Sequence, residues 1–347
     1  MNPPPDFQPA CPAPLSGGRV TLAHGGGGRL MHSLVREVFA SAFHSSADHD
    51  GAVAQVKAGR IATTTDGYVV RPMFFPGGDI GSLAVHGTLN DLAMCGARPL
   101  CLSAAFIIEE GTEIEVLRRI ARSMAAAAQS GGAAITTGDT KVVERDSGDG
   151  VYITTSGVGL CEHDLDIHPR SIREGDVLLL SGDIGRHGIA VMGARENLAF
   201  ESSLESDSQC LWPAVRSLLE AGIEVHCLRD LTRGGLATAL AEFALTAGVE
   251  IELEEEAVPV LPAVRAACEF LGLDPLYVAN EGRFVAVVPP RQAQAALIAL
   301  RRTPEAAHAV VAGTVRAHRP GQVSLRTRMG TLRNLPMLSG EQLPRIC

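Results

Sequence analysis

Between residues 60 and 180 the apolar residues switch repeatedly between two rhythms, and this alternation limits the fold more than any other feature. Residues 61–65, 100–108, 133–137 and 151–158 are short runs rich in β-branched and apolar side chains and read as strands. Between them, residues 83–97 have helical spacing, with Leu83, Leu89, Leu92 and Ala93 on one side. Ile114, Leu117, Ile120, Ala121 and Met124 recur at i, i+3, i+4, which predicts a second helix. Thr112 and Glu115 supply a capping-box pattern at its start, and Gly131-Gly132 stops it. Alternating strands and helices predict an α/β (α+β) chain, with helices layered on a sheet. The pattern restarts after a polar turn at 171–176. Strands are expected at 177–180, 224–228, 249–253, 284–288, 309–315 and 322–326, and helices around 188–196, 209–221, 235–246, 262–271 and 291–301. At roughly 150 residues per domain, 347 residues suggest two domains, with the boundary near residue 170.

Both ends depart from this pattern. Residues 1–18 carry Pro3, Pro4, Pro5, Pro9, Pro12 and Pro14, with no basic segment followed by an apolar one, so they read as a disordered arm and not as a secretory signal. Residues 19–170 and 171–328 are then the two domains. Residues 329–347 hold Gly330, Pro336, Gly340 and Pro344 without a sustained period and read as a mobile tail. Residues 334–347, fully extended, could reach about 45 Å.

Composition removes several function classes. Lys+Arg is 30 against Asp+Glu 39, a net charge of −9, and no basic run is present, so a nucleic-acid partner is not expected. No apolar run approaches the roughly 18 residues of a membrane span. The eight cysteines include no CxxC pair, which disfavours structural zinc and a disulfide framework and fits a reducing cytoplasm. Glycine is abundant, 37 of 347 residues, while aromatics are only 4%, as tight turns and close backbone approaches require.

Six segments could carry chemistry. Gly25, Gly26, Gly27 and Gly28 precede a helix, where backbone N–H groups can surround phosphate oxygens; the run matches neither GxxxxGK[ST] nor GxGxxG and could equally be a hinge. Asp50, Asp66, Asp91 and Asp139 stand at strand ends or loop starts. Each alone reads as a turn or cap residue. As a set without a competing His/Cys cluster they suggest Mg²⁺ with nucleotide phosphates. Lys141, two residues beyond Asp139, is either a phosphate or proton-transfer lysine or a surface one. The stretch from Asp230 through Arg233 to Gly234-Gly235 opens a helix and could face an anion, or could be a turn capped by Thr232. Glu281, between Asn280 and Gly282 at a strand entry, could be a general base or a turn acid. Cys347 ends the chain. It is not a prenylation signal, and a free thiol of pKa near 8.5 is already nucleophilic.

Taken together these segments resemble the HypE family of hydrogenase maturation factors, carbamoyl dehydratases of the PurM-like superfamily that also holds aminoimidazole ribonucleotide synthetase, selenophosphate synthetase and thiamine-monophosphate kinase. The stretches that carry the resemblance are His24 to Gly28, Thr64-Thr65-Asp66-Gly67-Tyr68, Phe74 to Gly81, Ala84 to Asp91, Thr137 to Val143, Asp230 to Ala237, Asn280-Glu281-Gly282 and the terminal Pro344-Arg345-Ile346-Cys347. They cover about residues 20–347. The resemblance implies a two-domain architecture, a homodimer whose N-terminal sheets pair across the axis, a C-terminal α/β sandwich, and ATP with Mg²⁺ bound between the halves. Asp50, Asp66, Asp91 and Asp139 are then the implied metal ligands, Asp48 being the alternative to Asp50. Gly25 to Gly28, Asn90, Thr140, Asp230 and Arg233 would bind the nucleotide. Cys347 would carry a carbamoyl group received from a HypF-like carbamoyl transferase, and ATP would drive its dehydration to a thiocyanate. Lys141 and Glu281 would assist proton removal. The cyanide would pass to the iron of [NiFe]-hydrogenase on a HypC–HypD scaffold. The readings set against this are a superfamily enzyme with a diffusible substrate (a selenophosphate synthetase or a small-molecule kinase) and a catalytically silent scaffold. The loop 24–29 lacks the reactive cysteine expected of a selenophosphate synthetase.

Overall fold

A computed structural model describes residues 28–34, 52–56, 59–144, 148–196, 204–338 and 346. After the short helix α1 (Arg29–Leu34) come β1 (Ala52–Val56), β2 (Gly59–Tyr68), the small pair β3 (Phe74–Phe75) and β4 (Gly78–Asp79), and then helix α2 (Ile80–Met94). Strand β5 (Arg98–Glu109), helix α3 (Ile114–Ser130), β6 (Ala134–Val143) and β7 (Val151–Cys161) complete the first half. Its sheet runs β1-β2-β7-β5-β6. Only β5 and β6 are parallel, and α3 is the crossover between them.

Helix α2 is buried on nearly every side, as expected of a helix sandwiched between layers. Asp79 caps it by accepting from the N–H groups of Gly81 and Ser82. A Cβ on Gly81 would lie 2.6 Å from the Ile120 carbonyl oxygen, so glycine is what lets α2 and α3 approach. One face of the sheet packs on α2: Thr155 Oγ1 donates to the Ala84 carbonyl and lies 2.5 Å from Thr88 Oγ1. No described element covers the other face; Ile61, Cys101, Val158 and Leu160 are only partly buried there, and Ile107 is exposed.

The second half is a seven-stranded sheet built from β8 (Val177–Leu180), β9 (Cys227–Asp230), β10 (Glu250–Glu254), β11 (Phe284–Val288), β12 (Val310–Arg316), β13 (Gln322–Arg326) and β14 (Leu332–Asn334), in the order β14-β13-β10-β12-β8-β11-β9. β8 and β11 are buried at every position, which is why they read as unbroken apolar runs. Helices α4 (Arg186–Arg195), α5 (Trp212–Glu220), α6 (Gly235–Ala247), α7 (Pro262–Leu271) and α8 (Ala293–Arg301) surround it. Leu236, Leu240 and Phe243 of α6 join Leu178, Leu180, Val285 and Val287 in one core. Leu179, Phe284, Ala286 and Val288, from the opposite face, share a second core with α5 and α8, and that core runs on without a break to Leu83, Leu89 and Met94 of α2. The two halves therefore share apolar contacts and are not independent lobes.

Three local details differ from the sequence reading. Thr112 does not cap α3; its hydroxyl donates to the Glu109 carbonyl at 2.8 Å, and Glu113 holds the N-cap position without a side-chain bond. Thr232 does not cap α6 either, because Gly234, at φ +84°, occupies that position. Residues 332–335, read as tail, belong to the sheet: β14 pairs with β13, and the Leu335 N–H donates to the Val323 carbonyl. Among the described residues no helix is long and apolar enough to cross a membrane.

Candidate active site

Strand alternation aims Thr64, Asp66 and Tyr68 of β2 at the α2 side of the sheet. There Thr64 Oγ1 donates to Asp91 Oδ2 at 2.6 Å and the Tyr68 hydroxyl donates to Asp66 Oδ2 at 3.1 Å. Asp66 and Asp91 also share a hydrogen bond. Burial pushes the Asp66 carboxyl above its ordinary range, against the pull of Tyr68 and the Arg233 guanidinium. Asp230, at the end of β9, is pushed up to about 6 by burial and by the nearby Asp66, with Arg229 opposing. Glu281 is buried and held well above the usual carboxylate range, first by burial and then by Asp230, Asp207 and Asp66; Arg233 opposes. Among the described residues its Oε1 is buried without a hydrogen-bond partner.

A segment between α4 and α5 forms the seam that fixes this acid. Asp207 accepts from the backbone N–H of His187 and Glu281 on Oδ1 and from that of Gly282 on Oδ2. A Cβ on Gly282 would fall 1.8 Å from the Asp207 carbonyl oxygen, so that approach requires glycine. Asn90, expected at the nucleotide, spends its side chain on this seam: Oδ1 accepts from the Leu211 N–H, and Nδ2 donates to the carbonyls of Gln209 and Glu281. Asn280 is likewise used internally, bridging Gly185, Leu231 and Val278. The tail meets the same seam through Ile346, which is buried and whose carbonyl lies 2.7 Å from His187 Nε2.

Asp139 and Lys141 are on the other side of the sheet. Asp139 is in register with Ala105, Thr154 and Gly67, one residue out of step with Asp66, so its side chain points to the uncovered face. It pairs there with Lys141 Nζ at 2.7 Å, both side chains exposed. Within one chain the structure thus gathers Asp66, Asp91, Asp230, Arg233 and Glu281 and leaves Asp139 and Lys141 apart from them. Thr140 lies on β6 between these two. Gly28 is buried at the start of α1, and the next N–H, of Arg29, donates to the Leu338 carbonyl where the tail begins. Gly25, Gly26, Gly27, Asp48, Asp50 and Cys347 lie outside the described residues.

The model of the AIR synthase related protein N-terminal domain matches residues 48–161, and that of the C-terminal domain matches residues 173–326. The carbamoyl dehydratase HypE of Azotobacter vinelandii is 51% identical over 336 residues, 96% of this chain and 98% of that protein. The chain belongs to the HypE family of carbamoyl dehydratases. A HypE crystal structure in complex with ATP superposes with a TM-score of 0.81 at 45% identity, covering 94% of this chain and 99% of that one. HypE in a HypE–HypF complex gives 0.83 at 43%, covering 88% and 100%. The two-domain, PurM-like architecture expected from the sequence is the one the HypE family has.

The sequence reading passed over His187, Ser206 and Asp207. Each looks ordinary alone: a histidine at a helix start and a serine-flanked aspartate. The available signal was the polar stretch Glu205 to Gln209 lying between apolar helices, since such a stretch is buried only when its polar groups find partners.

Proposed function

We propose that this HypE-family chain dehydrates a carbamoyl group carried on Cys347, using ATP, and so supplies cyanide for the iron of [NiFe]-hydrogenase. The observation that carries the reading is Glu281, a buried acid with one oxygen unpartnered among the described residues, crowded by carboxylates yet faced by Arg233. A carboxylate with a raised proton affinity is a strong base once it is ionised. In the reaction, the carbamoyl oxygen of the thiocarbamate takes the γ-phosphoryl group of ATP, so a poor leaving group becomes phosphate. Glu281 accepts a proton from the nitrogen, the C–O bond breaks, and loss of the second proton leaves the thiocyanate, with ADP and phosphate as co-products.

The donor set around Asp66 and Asp91 suits Mg²⁺, being hard oxygens, and a cation there would relieve the repulsion between Asp66 and Asp230. Among the described residues no group of three His, Cys, Asp or Glu side chains is arranged to hold a metal, so phosphate oxygens and water would complete the shell. Asp50, Asp66 and Asp91, with Asp230 behind them, would hold the ion, which when bound neutralises phosphate charge. Gly25 to Gly28, Thr140 and Arg233 would face the nucleotide.

For Asp139 and Lys141 to join this chemistry, a second subunit must cover the open face that carries Ile107, Cys101 and Val158. The exposed apolar surface there supports a homodimer. HypF would supply the carbamoyl group and a HypC–HypD scaffold would receive the cyanide, in the cytoplasm. The known HypE–HypF complex supports the first of these partners. Cys347→Ala tests the carrier role: donor-dependent ATP turnover disappears while Mg-ATP still binds. Product formation unchanged in that variant rejects it.

A further inference from the structure

The final described residue is held more firmly than a loose tail would be. The Ile346 side chain is 5% exposed and joins the main core. Its carbonyl oxygen accepts from His187 Nε2 at 2.7 Å. The tautomer this requires is set on the other side of the ring. Ser206 Oγ accepts from the Ser208 N–H, so its own proton is available to His187 Nδ1, 2.8 Å away. That leaves the ring proton on Nε2, facing the tail. Phe75 packs against the imidazole edge to face, with centroids 5.5 Å apart, and burial keeps the ring neutral by lowering its pKa. The backbone N–H of the same His187 is bound by Asp207, the carboxylate that also binds the N–H groups of Glu281 and Gly282. One buried side chain therefore ties the residue that grips the tail to the loop that presents the acid.

We infer that His187 and Asp207 are positioning residues for the carrier, seating the tail on its own chain through the Ile346 carbonyl so that Cys347, the next residue, is delivered to Glu281 of the same subunit. The inference rests on the carrier reading above and adds to it the grip and its direction, within one chain and not across a dimer. One hydrogen bond and one apolar side chain form a grip that can also be released, as a carrier loaded by one partner and emptied by another requires.

The test reads docking without any turnover. Full-length protein without donor or nucleotide is exposed to iodoacetamide, and alkylation of Cys347 is followed by mass spectrometry on the peptide 342–347 released by cleavage after Glu341. Ile346→Ser, which withdraws one apolar side chain at the chain end from the core, should speed Cys347 alkylation by roughly tenfold or more. His187→Leu, which keeps the bulk and removes the donor, should speed it about fivefold. His187→Gln, which restores an N–H near the Nε2 position, should return the rate towards that of the natural protein, a rescue that a purely structural role would not produce. If His187→Leu does not fold, Ile346→Ser against Ile346→Val decides, the first fast and the second slow. Equal rates in the natural protein and Ile346→Ser overturn the grip, and fast alkylation in His187→Gln overturns the role of its hydrogen bond. Either result leaves the carrier reading intact, since that reading is decided separately by whether Cys347 bears the carbamoyl group and is needed for product.

Discussion

Asn90 offers a sharp test of the seam. Its side chain is almost completely buried and makes three bonds to backbone of the other half: from Leu211 N at 2.8 Å, to Gln209 O at 3.0 Å and to Glu281 O at 3.3 Å. Asn90→Ala removes all three. At about 1 kcal/mol net per bond the loss is about 3 kcal/mol. The Leu211 N–H accounts for the largest share, because it is left buried without an acceptor. The Glu281 carbonyl keeps a weak bond from the Gln209 N–H at 3.4 Å, which softens its share. For 347 residues at roughly 2.1 cal/mol/K each, the unfolding entropy is about 0.7 kcal/mol/K, so the melting temperature should fall by about 4 °C. Differential scanning calorimetry without nucleotide reads this shift, and titration calorimetry with Mg-ATP reads the affinity. An unchanged melting temperature together with lost ATP affinity would show that Asn90 serves the nucleotide and does not tie the two halves, which refutes the reasoning.

Three further outcomes are expected. Hydrogen bonds to Asp176 and Glu224 raise the pKa of buried His226 above its ordinary 6.5 despite the opposing effect of burial. The protonated ring thus adds stability that is fully present below about pH 6.5 and is lost as pH rises through the raised value. Melting curves from pH 6 to 9 should show a decline in the natural protein that is flatter in His226→Gln, and parallel declines would contradict this. Glu281→Gln should accept the carbamoyl group yet lose turnover by on the order of a hundredfold or more; phosphate-release assays at the natural rate would remove Glu281 from the chemistry. Asp139→Asn should weaken Mg-ATP binding in the dimer, and unchanged affinity by calorimetry would detach Asp139 from the site.

Where sequence period and burial agree, the fold was readable in advance. Ile120 and Met124 on the buried face of α3, the fully buried runs of β8 and β11, and the helix α6 opening at Gly235 all follow from spacing alone. Boundaries were less legible where side-chain bonds decide them: Thr112 found the Glu109 carbonyl nearer than an N-cap geometry, and β14 has too few residues to show a period. Asp66, Asp91 and Asp139 were read as strand-end or loop-start residues, but they lie inside β2, α2 and β6, because these elements run on past the polar residues; only Asp230 ends its strand. The side of the sheet taken by Asp139 depends on register with β5, a long-range property that no local pattern displays. Asp207 and His187 were hidden for a similar reason. Their importance comes from backbone groups more than 70 residues away for Asp207 and 159 away for His187.

The central claim is that the terminal sulfur carries the group being dehydrated. Intact-mass spectrometry of the full-length protein, incubated with HypF-activated carbamoyl donor and then with Mg-ATP, tests it most directly. The account requires a carbamoyl adduct mapped to Cys347 that loses one water, and only when ATP is added. An adduct on another residue, or cyanide produced while Cys347 stays unmodified throughout, would contradict it.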